Sequence, residues 1–196
     1  MTIMSGAGWR KVLAGGAVVG AGVAGYLGLV TGAVPVDVGL GRRIRALGPF
    51  TIDIAAPRQV VFDVLAEPYL GRQTRAVAEK IRILERGTDM VLAAHRTPVR
   101  GGLVATTVET VRFTRPERVD FRLVRGPVPL VVEQFVLREK RDATELTYTG
   151  ELGTDLWSIG QRWGAAVAGP WERTVQASFG SVKAEAQRRA IRPTRG

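Results

Sequence analysis

Between Ala76 and Leu152 the chain repeats one pattern six times: a run in which apolar and polar residues alternate, then a short cluster of turn formers. The runs are Lys80–Glu85, Met90–Arg96, Leu103–Phe113, Val119–Val124, Leu130–Glu139 and Thr144–Leu152. Between them stand Gly87-Thr88-Asp89, Pro98–Gly102, Arg115-Pro116-Glu117, Gly126–Pro129 and Arg141-Asp142-Ala143. A period of two sends successive side chains to opposite faces of a strand. Connectors this short join antiparallel neighbours, because a parallel pair needs a crossover of a dozen residues or more. The pattern therefore predicts an antiparallel meander with one apolar face that needs a cover.

The cover follows directly. Leu156, Ile159, Trp163, Val167, Trp171, Val175, Phe179, Val182 and Ala186 succeed one another at steps of three or four, the apolar stripe of one long helix. Gly169-Pro170 lies inside it, and an interior proline loses a backbone bond, so a kink or break is expected near residue 169. The portion from Pro170 to Arg189 should lie across the concave face of the sheet. Upstream, Phe50, Ile52 and Ile54 alternate with polar or small residues as a first strand. Pro57 suits a helix's first turn, Val60, Val61, Val64 and Leu65 recur at helical spacing, and Pro68 is expected to end that helix. Tyr69–Thr74 reads as a single turn.

A separate feature precedes this domain. Val12 to Val34 is 23 residues without a charge, flanked by Arg10 and Lys11 and by Arg42, Arg43 and Arg45. About 20 apolar residues at about 1.5 Å each cross a hydrocarbon core of roughly 30 Å, so the run predicts one transmembrane helix. A cleaved signal peptide is the alternative, with Thr31-Gly32-Ala33 as its cleavage region, but its apolar core runs only about 7 to 15 residues. The spacings Gly16 to Gly20 and Gly28 to Gly32 match the small-xxx-small pattern of paired helices, which allows a transmembrane dimer. The basic cluster at Arg42–Arg45 favours anionic cytoplasmic lipid and places the domain on the cytoplasmic side of a cell membrane. The expected division is an amino-terminal flank over 1–11, the transmembrane helix over 12–34, a basic juxtamembrane linker over 35–47, one domain over 48–190 and a basic tail over 191–196. The chain has no cysteine, which excludes disulfides and thiol chemistry.

The net charge is +10, but within the domain basic residues are interspersed with acids, as in Arg138, Glu139, Lys140, Arg141 and Asp142. No basic stripe with interleaved stacking aromatics appears, so nucleic acid is not an expected partner. One histidine and no cysteine leave a zinc site without ligands, so no metal is expected. Neither a nucleophile elbow nor a phosphate-binding glycine loop is present, and no cofactor is expected.

Alternation assigns Phe121, Leu123, Phe135, Leu137, Leu146 and Tyr148 to the inner face, with Trp163, Trp171 and Phe179 facing them from the helix. Together they either fill a core or line a ligand site. Tyr148 stands out because a buried phenol wants a hydrogen-bond partner and can orient a ligand oxygen. Glu109 and Glu133 fall on strands where alternation alone leaves their direction open. His95, at a strand end beside Arg96, is ordinarily a surface or hydrogen-bonded group, yet as an imidazole it can move a proton near neutral pH.

Phe50-Thr-Ile-Asp-Ile-Ala-Ala-Pro-Arg-Gln-Val-Val-Phe-Asp-Val-Leu-Ala, Thr144-Glu-Leu-Thr-Tyr-Thr-Gly and Val182-Lys-Ala-Glu-Ala-Gln-Arg-Arg, in this element order, resemble the START and Bet v 1-like (SRPBCC) superfamily, in particular its polyketide cyclase/dehydrase-like branch. The resemblance spans about residues 48 to 190. Val61-Phe62 replaces the tryptophan that often follows the valine of the first helix, and the membrane segment lies outside the family's core. The resemblance implies an α+β helix-grip fold, a curved antiparallel sheet around a long carboxyl-terminal helix with a hydrophobic cavity between them. It implies binding of a lipid or other hydrophobic small molecule. A cyclase or dehydratase using Tyr148, His95, Glu109 or Glu133, and a non-catalytic interaction module with a filled cavity, are the alternatives.

Overall fold

The computed structural model describes residues 24–34, 36–98 and 102–191. Seven strands form one antiparallel sheet: β1 (Arg43–Ile54), β2 (Ile81–Arg86), β3 (Met90–Pro98), β4 (Val104–Thr114), β5 (Arg118–Arg125), β6 (Leu130–Lys140) and β7 (Ala143–Thr154). Their order across the sheet is β1-β7-β6-β5-β4-β3-β2, so the six predicted runs form the meander and the first strand closes against the last. Two helices, α1 (Arg58–Leu70) and α2 (Arg75–Lys80), link β1 to β2, and α3 (Trp157–Ile191) lies against the inner face. The core is made of alternate strand residues such as Val91, Val111, Val119, Leu137 and Leu146, met by Val61, Phe62 and Leu65 of α1 and Val175 and Phe179 of α3. This is the helix-grip architecture.

Three expectations need correction. First, β1 begins at Arg43, inside the stretch read as a linker, because residues 43–47 pair with Gly150–Thr154. A register shift between Leu47 and Phe50 separates that pairing from the predicted strand. Gly48 sits there at φ 76°, where a Cβ would stand 3.1 Å from the Tyr148 carbonyl, so the bulge requires glycine.

Second, both prolines are accommodated within helices. α1 continues through Pro68 to Leu70 and is closed by the Gly71 amide donating to the Glu67 carbonyl at 2.9 Å. Near a helix end a proline forfeits a single bond, and the extra turn buries Tyr69. α3 runs unbroken across Gly169-Pro170, with Pro170 exposed on the water side and its own carbonyl accepting from Thr174 Oγ1.

Third, the stripe on α3 is not buried along its whole length. In its first half the buried residues are Gly160, Gly164 and Ala168, while Leu156 and Ile159 are exposed. A Cβ on Gly164 would lie 3.1 Å from Thr154 Cγ2 and 3.2 Å from Leu152 Cδ2. The helix backbone rests directly on β7 there, and small residues make that approach possible.

Of the apolar run Val12–Val34, residues 12–23 lie outside the described residues. Residues 24–30 are helical, and residues 31–34 turn onto the sheet, with the Thr106 amide donating to the Thr31 carbonyl and Arg125 to the carbonyls of Gly32 and Ala33. Among the described residues no helix is long and apolar enough to cross a membrane. Residues 36–42 are fastened by Asp155, whose carboxylate accepts from the amides of Val38 and Gly39 and from the Arg42 guanidinium at 2.7 to 3.1 Å.

Candidate functional site

The pleat brings polar groups from four strands to the inner face. β3 contributes His95, β4 Thr107 and Glu109, β6 Glu133 and β7 Tyr148, while Tyr69 and Trp171 reach in from α1 and α3. All of the predicted apolar set is on this side too. Leu123, Phe135, Leu137, Leu146, Tyr148 and Phe179 are buried, and Phe121, Trp163 and Trp171 pack against them half-buried.

The polar groups form two clusters. In one, Tyr69 Oη lies 3.0 Å from His95 Nε2, and Glu109 Oε1 accepts from Thr107 Oγ1 at 2.6 Å. His95 Nδ1 stands 3.3 Å from Glu109 Oε2 but off the hydrogen-bond direction, so this buried nitrogen has no hydrogen-bond partner among the described residues. The distance alone fits an ion pair. Burial, however, pushes the imidazole down to about 4, so the ring is neutral at pH 7 and the contact is not an ion pair.

In the other cluster Glu133 Oε1 accepts from both Tyr148 Oη and Trp171 Nε1, each at 2.7 Å. Gly150, paired with Glu133 across the strands, keeps this contact open: a Cβ there would lie 3.1 Å from Tyr148 Oη and 3.2 Å from Glu133 Cγ. Glu133 Oε2 accepts no hydrogen bond among the described residues, which leaves one oxygen of the carboxyl uncommitted.

Neither carboxyl has an arginine or lysine partner among the described residues. Burial pushes Glu109 up to about 7, against the Thr107 hydrogen bond that favours the anion. Burial, and then the charge of Glu109, push Glu133 up to about 7 against the bonds from Tyr148 and Trp171. Both phenols are pushed up, Tyr69 by burial and then by the charges of Glu109 and Glu133, Tyr148 by burial and then by Glu133. Phe121 of β5 separates the carboxylates: it pairs with Glu133, and its neighbour Leu123 pairs with Glu109. Two strand spacings and a two-residue offset put their backbones roughly 12 Å apart.

Rings connect the clusters. Phe50, Tyr148, Phe135, Phe121 and Tyr69 follow one another with centroids 5.2 to 5.8 Å apart, and Phe179 closes on Phe135 from α3. The inner face thus carries a continuous chain of aromatic contacts that links the two polar clusters. An open groove of about 740 Å³ is lined by Thr110, Arg112, Arg122, Gln134 and Glu151 and reaches Phe121, Glu133 and Gly150 of the site strands.

Two polar residues were missed from sequence. Tyr69 lies four residues after Leu65 and seven after Phe62, the continuation of the helical stripe, and was lost because Pro68 was read as a stop. Thr107 alternates with Glu109 and shares its face, but a threonine in a strand carries no signal of its own.

No protein-family model matches the sequence, and no curated protein matches it. Among solved structures, the chain is similar to the Zhui aromatase/cyclase from Streptomyces sp. R1128, with a TM-score of 0.64 and 21% identity over 79% of this chain and 99% of that one. The di-domain ARO/CYC StfQ of the steffimycin pathway gives 0.59 at 14% identity, covering 75% of this chain and 52% of its own, so this chain spans about half of that protein. Truncated norcoclaurine synthase from Thalictrum flavum gives 0.54 at 11% identity over 80% and 98%. Likeness at these identities establishes the fold alone: the chain has a helix-grip domain.

Proposed function

We propose that the inner face binds a hydrophobic small molecule carrying carbonyl or hydroxyl oxygens, and that Glu109 and Glu133 recognise those oxygens. One observation carries the reading: two carboxyl groups are buried without a cation, in an aromatic surround, and both change protonation near neutral pH. Burying an ionisable group unpaired is costly, and perturbed carboxylates cluster where chemistry is done. Ring edges and faces favour a flat guest, which can replace ring-ring contacts with its own. The neighbours named as aromatase/cyclases and as norcoclaurine synthase support a small-molecule role for the fold.

The same observation favours a second reading, cyclase- or dehydratase-like catalysis. Because the charge of one carboxylate raises the other, the pair at pH 7 supplies one acid and one base across Phe121. The base removes a proton next to a ligand carbonyl, and the acid protonates a departing hydroxyl, which leaves as water.

The test is binding of a hydroxyanthraquinone and of a membrane-lipid extract, followed by native mass spectrometry and tryptophan quenching. Retention that weakens at least tenfold in Glu133→Gln supports the site. No retained molecule from either source, or retention unaffected by both Glu109→Gln and Glu133→Gln, overturns it.

The part of the uncharged run ahead of the docked residues 31–34, from Val12 to Val30, is further read as a single-pass anchor that holds the domain at the cytoplasmic face of the membrane. The uncharged run and its basic flanks support this. Full-length chain recovered entirely in the soluble fraction after alkaline extraction would remove it.

A further inference from the structure

We propose that the end of the molecule where β4 and β6 begin and α3 starts rests on an anionic bilayer surface, with Trp157 and Ile159 in the headgroup region. The proposal rests on the reading of the apolar run ahead of residue 31 as an anchor and adds which face of the domain meets the lipid.

Exposed apolar residues are strongly segregated. Of the large apolar side chains left exposed among the described residues, only Leu70, Leu84 and Ile191 lie away from this end. Leu40 is 60%, Trp157 55% and Ile159 72% exposed, whereas isolated exposed residues of this kind are ordinarily dispersed over a surface. Backbone bonds hold the patch together: the Leu156 amide donates to the Leu40 carbonyl at 2.8 Å and the Trp157 amide to the Gly41 carbonyl at 3.1 Å.

The arrangement is built at local cost. Leu156 and Trp157 are both left-handed, at φ 68° and 49°, a conformation that non-glycine residues avoid. Asp155 fastens the adjoining segment, and Gly41 lies under the indole, where a Cβ would collide with the ring. The backbone is thus constrained to present these two side chains outward.

The surrounding charge fits lipid. Arg43, Arg45 and Arg162 are exposed and have no ion pair among the described residues, while Asp37 and Asp155 are both engaged by Arg42. Tryptophan with aliphatic neighbours and a basic rim is the chemistry of an anionic membrane interface. Residues 31–34 dock at this same end, so the apolar run that precedes them enters the domain here.

Because the chain has no cysteine, Ile159→Cys gives a single labelling site, and Lys183→Cys provides an exposed control about 36 Å further along α3. Full-length chains carrying an environment-sensitive fluorophore at either site are reconstituted with phosphatidylcholine/phosphatidylserine vesicles, with and without doxyl lipid. The proposal expects a blue-shifted label at position 159, quenched several-fold more by doxyl lipid than the label at 183. Equal solvent exposure at both sites on chains that float with the vesicles overturns the docking face and leaves the anchor intact. A blue shift that doxyl lipid does not quench identifies a second copy or another protein surface and also overturns it. Failure to float overturns both readings.

Discussion

Asp155 and the pair Glu109/Glu133 all expose almost no surface to solvent, but Asp155 lies shallow and the two glutamates lie deep, and the fold treats them oppositely. Asp155 receives two amides and the Arg42 guanidinium, and hydrogen bonding, the Arg42 contact foremost, holds its carboxyl down to about 2. Glu109 and Glu133 receive one and two neutral donors and no cation, and burial pushes both up to about 7. Burial alone therefore does not decide a carboxyl's state. What decides it is whether donors, a cation foremost, replace the lost water. Arg42 and the amides at 38–39 do this for Asp155, giving a structural clasp, whereas strands β4 and β6 spend their amides on the sheet and leave Glu109 and Glu133 with few donors.

The largest expected effect breaks the satisfied side of this contrast. Asp155→Ala removes four hydrogen bonds, about 1 kcal/mol each, so unfolding stability should fall by about 4 kcal/mol, read from urea denaturation at pH 7. A loss below about 1 kcal/mol would mean that the clasp does not hold residues 36–42. In the wild type this contribution is fully present above the unfolded value near 3.8 and fades as the pH falls through about 2.

The unsatisfied side has the opposite sign. A carboxyl raised from 4.5 to about 7 stabilises the fold at acid pH, and that contribution is lost as the pH rises through about 7. Glu109→Gln or Glu133→Gln should therefore gain up to about 3 kcal/mol over wild type at pH 8 and almost nothing near pH 4.5. The double variant should gain less than the sum, because the charge of Glu109 raises Glu133 and that term is removed by either change. His95 adds a slope of the reverse sign: lowered from 6.5 to about 4, it contributes stability above pH 6.5 that is lost as the pH falls towards 4. Urea midpoints followed across pH 4 to 8 measure all three. A Gln variant less stable than wild type at pH 8 would show that these carboxylates are structural after all.

The meander, its covering helix and the inner-face apolar set were legible because period-two and period-three-to-four patterns report directly on burial. Glu109, Glu133 and His95 were visible as residue types, but their direction was not: a charged residue in a strand reads as outward until the register of Phe121 against Glu133 and Ala93 against Glu109 is known. The exposed start of α3 was misread for a related reason. Leu156 and Ile159 continue the apolar stripe in sequence, and only the close packing of Gly160 and Gly164 on β7 turns them outward. Pro68 and Pro170 break neither helix because a proline's cost depends on where its lost bond falls, which a sequence does not display.

A smaller effect tests the link between the helices and the site. Tyr69→Phe removes the partner of His95 Nε2, a neutral hydrogen bond worth about 1 kcal/mol, and should lower stability by that amount at every pH above 6.5. Below that, protonation of His95 costs the variant and the wild type alike, so the two pH profiles should run parallel. Profiles that converge as the pH falls would show that the phenol also sets the titration of the imidazole.

The finest test of the contrast is Trp171→Phe, which alters the donor count at Glu133 while keeping an aromatic ring on α3. The indole N–H favours the ionised carboxyl, so losing it should move the midpoint of Glu133 further up. The shift should be modest, roughly half a pH unit, because Tyr148 shares the same oxygen and Trp171 is only half-buried. Carboxyl carbon NMR of the titration reads it directly and separates it from any loss of packing, which shifts stability but not the midpoint. If the midpoint stays at about 7, the donor count does not tune this carboxyl, and the opposite states of Asp155 and Glu133 then come from the presence or absence of a cation alone.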